Sequence, residues 1–206
     1  MRRAVRGGLL GRVMGGLYLG VGRPLRELRA AAAARKAGVG VPEPLAVRAT
    51  RAGGFFRRFT IVTREIEGAS NLLVLIPTLS GPERRMLLER VADEMRRLHE
   101  AGVYHADLTL QNILTRGTDV YFIDLDKAIL SSRRDESLDL MNLSRLNRSV
   151  EKLFRSKGIV SRADRLRFLR RYLGGDSAKG RLKDLARACA SGLWFHRLWW
   201  SLSGQS

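Results

Sequence analysis

Cysteine is almost absent from this 206-residue chain: Cys189 is the one example, which rules out a disulfide framework and a cysteine metal cluster. Prolines number 5 and aromatic residues make up 7% of the chain, so neither a proline-rich spacer nor an aromatic-laden scaffold is in prospect. No run of about 18 apolar residues occurs, so no membrane-spanning helix is expected. The first ten residues are basic but lack a sustained apolar stretch and a small-residue cleavage site, so they do not read as a secretion signal, and a cytosolic compartment is the default expectation. Acidic side chains are scarce as well, 20 against 38 Lys and Arg, for a net charge of +18. Apolar residues nonetheless reach 45%, enough for a core in one large domain or a small two-lobed one.

The scarcity of acid is uneven. Residues 1–60 carry 13 basic and 2 acidic side chains, residues 61–149 carry 12 and 14, and residues 150–206 carry 13 and 4. The two flanks are therefore basic and the middle is not. Such flanks attract polyanions such as nucleic acid or anionic lipid headgroups, or they are solvated basic surface and nothing more.

The acidic middle contains the most telling pattern. His105-Ala106-Asp107-Leu108-Thr109-Leu110-Gln111-Asn112 reads H-x-D-x-x-x-x-N, and an apolar strand leading into Asp124 follows. That order is the layout of a phosphotransferase catalytic loop with a metal-binding aspartate beyond it. Asp107 is suited to accept a proton from a substrate hydroxyl. Asn112 and Asp124 supply the hard oxygens that Mg²⁺ favours, and His105 is suited to brace the loop rather than to act as base. The bland reading is a polar helix-to-strand loop whose Asp and Asn cap turns. Asp126 either assists the metal or substrate or pairs with Lys127.

The elements around the motif are also legible. Pro24 opens a helix over Leu25–Lys36 that stops at Gly38 and Gly40, and Val41-Pro42-Glu43-Pro44 forces an extended connection. Strands are predicted at 45–49 and 55–66 around a Gly53-Gly54 turn. Gly81-Pro82 opens a long helix with Met86, Leu87, Val91, Met95 and Leu98 on one face, ending at Gly102. Short strands are predicted at 113–115 and 120–123, then helices over 138–154, from Ser161 to Leu173, and over 178–200. In the last, Trp194, Trp199 and Trp200 surround His196 as a core stripe or an interfacial anchor. His99, at a helix end, is expected to be satisfied or exposed. The fold class is thus α+β, a protein-kinase-like two-lobe fold in one domain, with an incomplete, β-containing N-lobe over 1–67 and a mainly helical C-lobe over 68–206. Glu27, on the first helix, pairs with a cation from the leading strand (Arg2, Arg3 or Arg6) or with local Arg23 or Arg26.

Beyond the loop, Arg6-Gly7-Gly8, Arg26-Glu27-Leu28, Gly38-Val39-Gly40-Val41-Pro42-Glu43-Pro44, Thr63-Arg64-Glu65-Ile66-Glu67-Gly68-Ala69 and Leu146-Asn147-Arg148-Ser149 also resemble one family. With these segments the chain resembles the lipopolysaccharide kinases, and among them the 3-deoxy-D-manno-octulosonic acid (Kdo) kinases, from about residue 2 to about residue 173. The resemblance implies an ATP- and Mg²⁺-dependent kinase acting on a Kdo sugar of a lipid A precursor. It would work at the anionic cytoplasmic face of a bacterial inner membrane, as a peripheral protein without a specific nucleic-acid partner. It implies Asp107 as catalytic base, Asn112 and Asp124 as metal ligands, and Glu27 with Arg2 on the nucleotide side. The alternatives are another small-molecule or protein kinase of this fold, or a pseudokinase docked on a polyanion. Two departures stand out. The sequence starts almost at the Arg6-Gly7-Gly8 segment, where the family carries a strand pair and a glycine-containing phosphate loop first. Ala106 stands where protein kinases controlled by a phosphorylated loop carry Arg.

Overall fold

The computed structural model describes residues 2–3, 17–19, 22–51, 56–154 and 158–174. The Gly53-Gly54 turn, the predicted helix over 178–200 with its tryptophans, and Cys189 lie outside the described residues.

The first part is a sheet flanked by a helix. Strand β4 (Phe56–Thr63) pairs antiparallel with β1 (Arg2–Arg3), β2 (Leu17–Leu19) and β3 (Pro44–Arg51). The β3–β4 hairpin keeps the register Val47 to Ile61, which points Phe59 and Ile61 inward. Helix α1 (Gly22–Lys36) carries a run of alanines, strong helix formers, and beyond Pro24 its buried side chains are the methyl groups of Ala30, Ala31 and Ala34. Small side chains let this helix come close to the turn after Asp124.

Gly40 ties this part to the rest. Its carbonyl accepts the Phe122 N–H at 2.9 Å, and a Cβ at this position would lie 2.1 Å from the Val120 carbonyl oxygen. Any side chain here forces the two backbones apart, so the glycine is demanded by close approach.

After β5 (Ser70–Asn71) and a short helix α2 (Leu72–Leu75) comes α3 (Gly81–Glu100), the longest described helix and the centre of the core. Its start is fixed by Glu83, whose carboxylate accepts from the Ser80 N–H at 3.0 Å and the Ser80 hydroxyl at 2.7 Å. Leu87, Leu88, Val91, Ala92, Met95 and Leu98 form its buried stripe. Full burial contributes about 1.5–3 kcal/mol for each large apolar side chain. Truncating Met95 to Ala is expected to cost about 2–5 kcal/mol. Gly102 ends the helix with φ +68° and donates its N–H to His99 O at 2.9 Å.

The polypeptide then runs through β6 (Val103–Tyr104), β7 (Ile113–Arg116), β8 (Asp119–Phe122) and β9 (Ile129–Leu130). β7 and β8 form a hairpin extended by β5, and β6 pairs with β9. Helices α4 (Glu136–Phe154) and α5 (Arg162–Tyr172) complete the body. The expected Ser161–Asp164 cap is present, with the Asp164 N–H donating to Ser161 Oγ at 3.1 Å. One local expectation shifts: the strand before Asp124 ends at Phe122, two residues short of the aspartate.

Candidate active site

His105 follows β6 directly, so the β6–β9 pair sets where the loop begins. The imidazole is buried and makes two bonds that fix its tautomer. Its Nδ1 accepts the Asp107 N–H at 3.1 Å, so Nε2 carries the proton and donates to the Ile123 carbonyl at 2.8 Å. Burial holds the ring's pKa below the ordinary histidine value, against the pull of the Ile123 carbonyl and of Asp124 and Asp107. The ring is therefore neutral near pH 7 and structural in its contacts.

Asn112 closes the other side of the loop. Its side-chain amide donates to the Asp107 carbonyl at 2.8 Å, and its backbone carbonyl accepts the Ile123 N–H at 3.0 Å. Asp107 itself is exposed at the tip, and Leu108 and Leu110 anchor the turn in the core. Asp107, Asn112 and the backbone just before Asp124 are thus one hydrogen-bonded unit. Asp124 is half-buried with φ +67° and ψ +53° and, among the described residues, is the one non-glycine with positive φ. Asp tolerates this region better than most side chains, yet such a conformation persists where the surroundings enforce it. Asp126 lies on the single turn that follows, over Leu125–Lys127.

A cavity of about 180 Å³ opens between the two parts of the chain. Its walls include Glu27 and Ala31 of α1, Val41, Ile61 of β4, and Phe122 to Leu125. Its lining is largely apolar with two carboxylates, Glu27 and Asp124, in its walls. Asp107 and Asn112 are not in the lining but are bonded to Ile123, which is. The backbone of Arg2 lies opposite Ile61 in the same sheet, while its side chain and Arg6 lie outside the described residues.

The sequence reading named His99 and Ser149 but not their place beneath the loop, and did not name Asn142. Asn142 on α4 accepts two hydrogen bonds at its Oδ1, from the His105 N–H at 2.9 Å and from His99 Nε2 at 3.2 Å. Seven residues on, Ser149 Oγ accepts the Leu110 N–H at 3.2 Å. His99, fully buried, also places Nδ1 2.7 Å from the Tyr172 hydroxyl and 3.1 Å from Asp139 Oδ1. Arg134 bonds both Asp139, at 2.7 Å, and the Tyr172 hydroxyl, at 3.0 Å. Burial pushes the Asp139 carboxyl upward, but the adjacent His99 ring and the Arg134 guanidinium outweigh it and hold its pKa below the usual value. The i, i+7 spacing of Asn142 and Ser149 is the single sequence signal that α4 presents polar groups on one face.

The donor set suits Mg²⁺. Asn112 spends its amide nitrogen on Asp107, which turns its carbonyl oxygen away from that bond, and Asp124 adds carboxylate oxygen. A cation held by one or two protein ligands completes its shell with phosphate oxygens and water. Among the described residues no group of three or more His, Cys, Asp or Glu forms a closed metal cage.

A β-sheet with one helix, a helical body, a cavity between them and an H-x-D-x-x-x-x-N loop beside it define a kinase-like fold. The solved structure described as WaaP in complex with acyl carrier protein shares it, with a TM-score of 0.63 and 24% identity over 81% of this chain and 75% of that one. The sequence model of the lipopolysaccharide kinase (Kdo/WaaP) family matches residues 1–172, and the chain belongs to that family. Relatives include the 3-deoxy-D-manno-octulosonic acid kinases of Vibrio cholerae, 31% identical over 77% of this chain and 68% of the relative, and of Vibrio parahaemolyticus, 33% over 74% and 64%. That of Haemophilus influenzae is 30% identical over 74% and 65%. The chain thus spans about two thirds of the length of the curated relatives it matches.

Proposed function

We propose that the chain transfers a phosphoryl group from ATP to a hydroxyl of the Kdo sugar on a lipid A precursor. The observation that carries this reading is the bonded unit His105–Asp107–Asn112–Ile123 set against the cavity, in a member of a family whose named relatives are Kdo kinases. Residues 1–67 and 68–206 act as the two lobes, with the adenine and ribose against the apolar walls near Val41 and Ile61. Glu27 and Arg2 serve the nucleotide side.

Asp107 is the general base. It is exposed toward the acceptor, yet its backbone is clamped on both sides by His105 and Asn112, so its carboxylate meets the hydroxyl from a fixed position. His105 positions the loop and keeps its proton on Nε2. Asn112 and Asp124 would hold Mg²⁺, which neutralises charge on the transferring phosphates. The basic flanks favour an anionic membrane surface, where such an acceptor resides; among the described residues no helix is long and apolar enough to cross a membrane.

The test is direct. The purified chain is incubated with ATP, Mg²⁺ and Kdo-lipid A precursor, and phosphate incorporation is followed with D107N as control. Transfer by the parent chain and its loss in D107N are expected. ATP binding without any transfer to this acceptor would overturn the assignment.

A further inference from the structure

Helix α4 clamps the loop at Asn142 and Ser149. Arg145 lies between these on the same face, three residues after the first and four before the second, and Arg148 is its neighbour three residues on. Both arginines are half-buried.

Their surroundings differ from those of comparable arginines. Arg84, Arg96, Arg145 and Arg165 each hold a buried Nε–H without an acceptor. In three of them another guanidinium nitrogen has a partner: Arg84 bonds the Leu79 carbonyl, Arg96 faces Asp93, and Arg165 bonds Glu151. Arg145 and Arg148 have neither a hydrogen bond nor an ion pair among the described residues. Burial, and then the adjacent Arg145 cation, draw Arg148 below the ordinary arginine value. Two partly desolvated guanidinium groups close to each other, with no counter-charge among the described residues, form an oxyanion fork.

The position says which reactant would fill it. No residue of α4 lines the nucleotide cavity, whose wall near the loop is Ile123 and Asp124. The helix that carries the arginines is bonded instead, at Asn142 and Ser149 on either side of Arg145, to the loop segment between His105 and Leu110 that carries Asp107. An anion there belongs to the acceptor. The acceptor proposed above is a sugar acid, and a carboxylate offers the two coplanar oxygens that a guanidinium fork binds.

We propose that Arg145 and Arg148 form the acceptor's oxyanion site, binding the carboxylate of the acidic sugar and so setting its hydroxyl beside Asp107. This rests on the Kdo kinase reading, and its test separates the two.

Steady-state kinetics are measured for the parent chain, R148Q, R148K and R145Q. The acceptors are the Kdo-lipid A precursor, the same molecule with its sugar carboxyl methylated, and a precursor lacking one lipid A phosphate. R148Q is expected to raise the KM for the acceptor by about tenfold to a hundredfold and to leave the KM for ATP unchanged. R148K is expected to recover part of the loss. On the methyl ester the parent chain is expected to lose a similar factor, and R148Q no further activity. An unchanged acceptor KM in R148Q, a raised KM for ATP instead, or an undiminished R148Q penalty on the ester would overturn the proposal. A penalty that persists on the ester but vanishes on the dephosphorylated precursor reassigns the fork to the lipid phosphate and overturns the carboxylate assignment. No transfer by the parent chain to any of these acceptors removes the functional reading and the arginine site with it. If R145Q does not fold, R148Q and R148K, matched to the parent in melting temperature, decide the matter.

Discussion

The sheet β1–β4 and the loop around Asp107 flank the same cavity but are held in different ways. In the described part of the sheet the buried side chains are Phe59 and Ile61, and β3 is exposed over most of its length. Its charged contacts, such as Arg64 with Glu43 at 2.8 Å, are at the surface. The loop instead has buried leucines below it and hydrogen bonds from His105, Asn112, Asn142 and Ser149 around it. On the function proposed above, shape alone would suffice to receive an apolar nucleotide base, whereas proton transfer and metal binding would require fixed atoms, and the denser bonding lies on that side.

The sharpest break in this contrast is D107N, expected to lower kcat by about 10²–10⁴-fold while ATP binding, read by calorimetry, is unchanged. Next is N142L, which leaves the His105 N–H and His99 Nε2 without their shared acceptor. A loss of about 2–4 kcal/mol in urea unfolding is expected, with a fall in kcat that the KM for ATP does not follow. If N142L left kcat intact, the loop would not depend on α4.

G40A strikes the seam between the two regions. Its Cβ meets the Val120 carbonyl, and a destabilisation of about 1–3 kcal/mol is expected in thermal melts. A smaller effect comes from pH. Burial keeps the folded-state pKa of His105 below the ordinary 6.5, so the unfolded chain takes up the proton first as pH falls. His105 therefore contributes stability above about pH 6.5 that is lost on acidification, since a protonated Nδ1 can no longer accept the Asp107 N–H. Unfolding free energy measured at about pH 7.5 and about pH 5.5 is expected to drop at the lower value, with a shallower drop in H105Q. Least of all, V47T on the exposed β3 is expected to stay within about 0.5 kcal/mol of the parent by the same melts.

What the sequence discloses follows the same division between local and distant. The start of α3 was readable because Gly81 and Pro82 are neighbours, and its end because Gly102 supplies a positive φ, whereas the Ser80–Glu83 cap came from the structure. The loop was readable because His105, Asp107 and Asn112 lie within eight residues. Helix α1 begins at Gly22, ahead of the expected Pro24, a difference of first-turn geometry that one proline does not settle. The polar floor was not readable, because His99 finds Asn142 across 43 residues and Tyr172 across 73. His99 by itself offered two readings, satisfied or exposed, and the packing of α3 against α4 and α5 selects the first. The left-handed backbone of Asp124 has no local sequence signal either, since aspartate adopts several conformations with ease. Unpaired arginines are less readable still: the sequence has 38 basic side chains, and which of them lack a carboxylate is a property of the folded surface.

The bonds of His105 carry a further consequence. A single planar ring spans the gap between the backbone of Asp107 and that of Ile123, so the spacing of the two arms is set by the dimensions of an aromatic molecule rather than by the sum of several flexible torsions. The ring works as a gauge block. Thermal motion in the core would then shift both arms together, and the distance between Asp107 and Asp124, the base and the metal-side aspartate of the proposed mechanism, would be protected even where the absolute positions are not. Glutamine at this position preserves hydrogen-bonding groups but replaces one rigid length with three rotors, so a loss of catalytic precision without a matching loss of nucleotide affinity is what that variant would register.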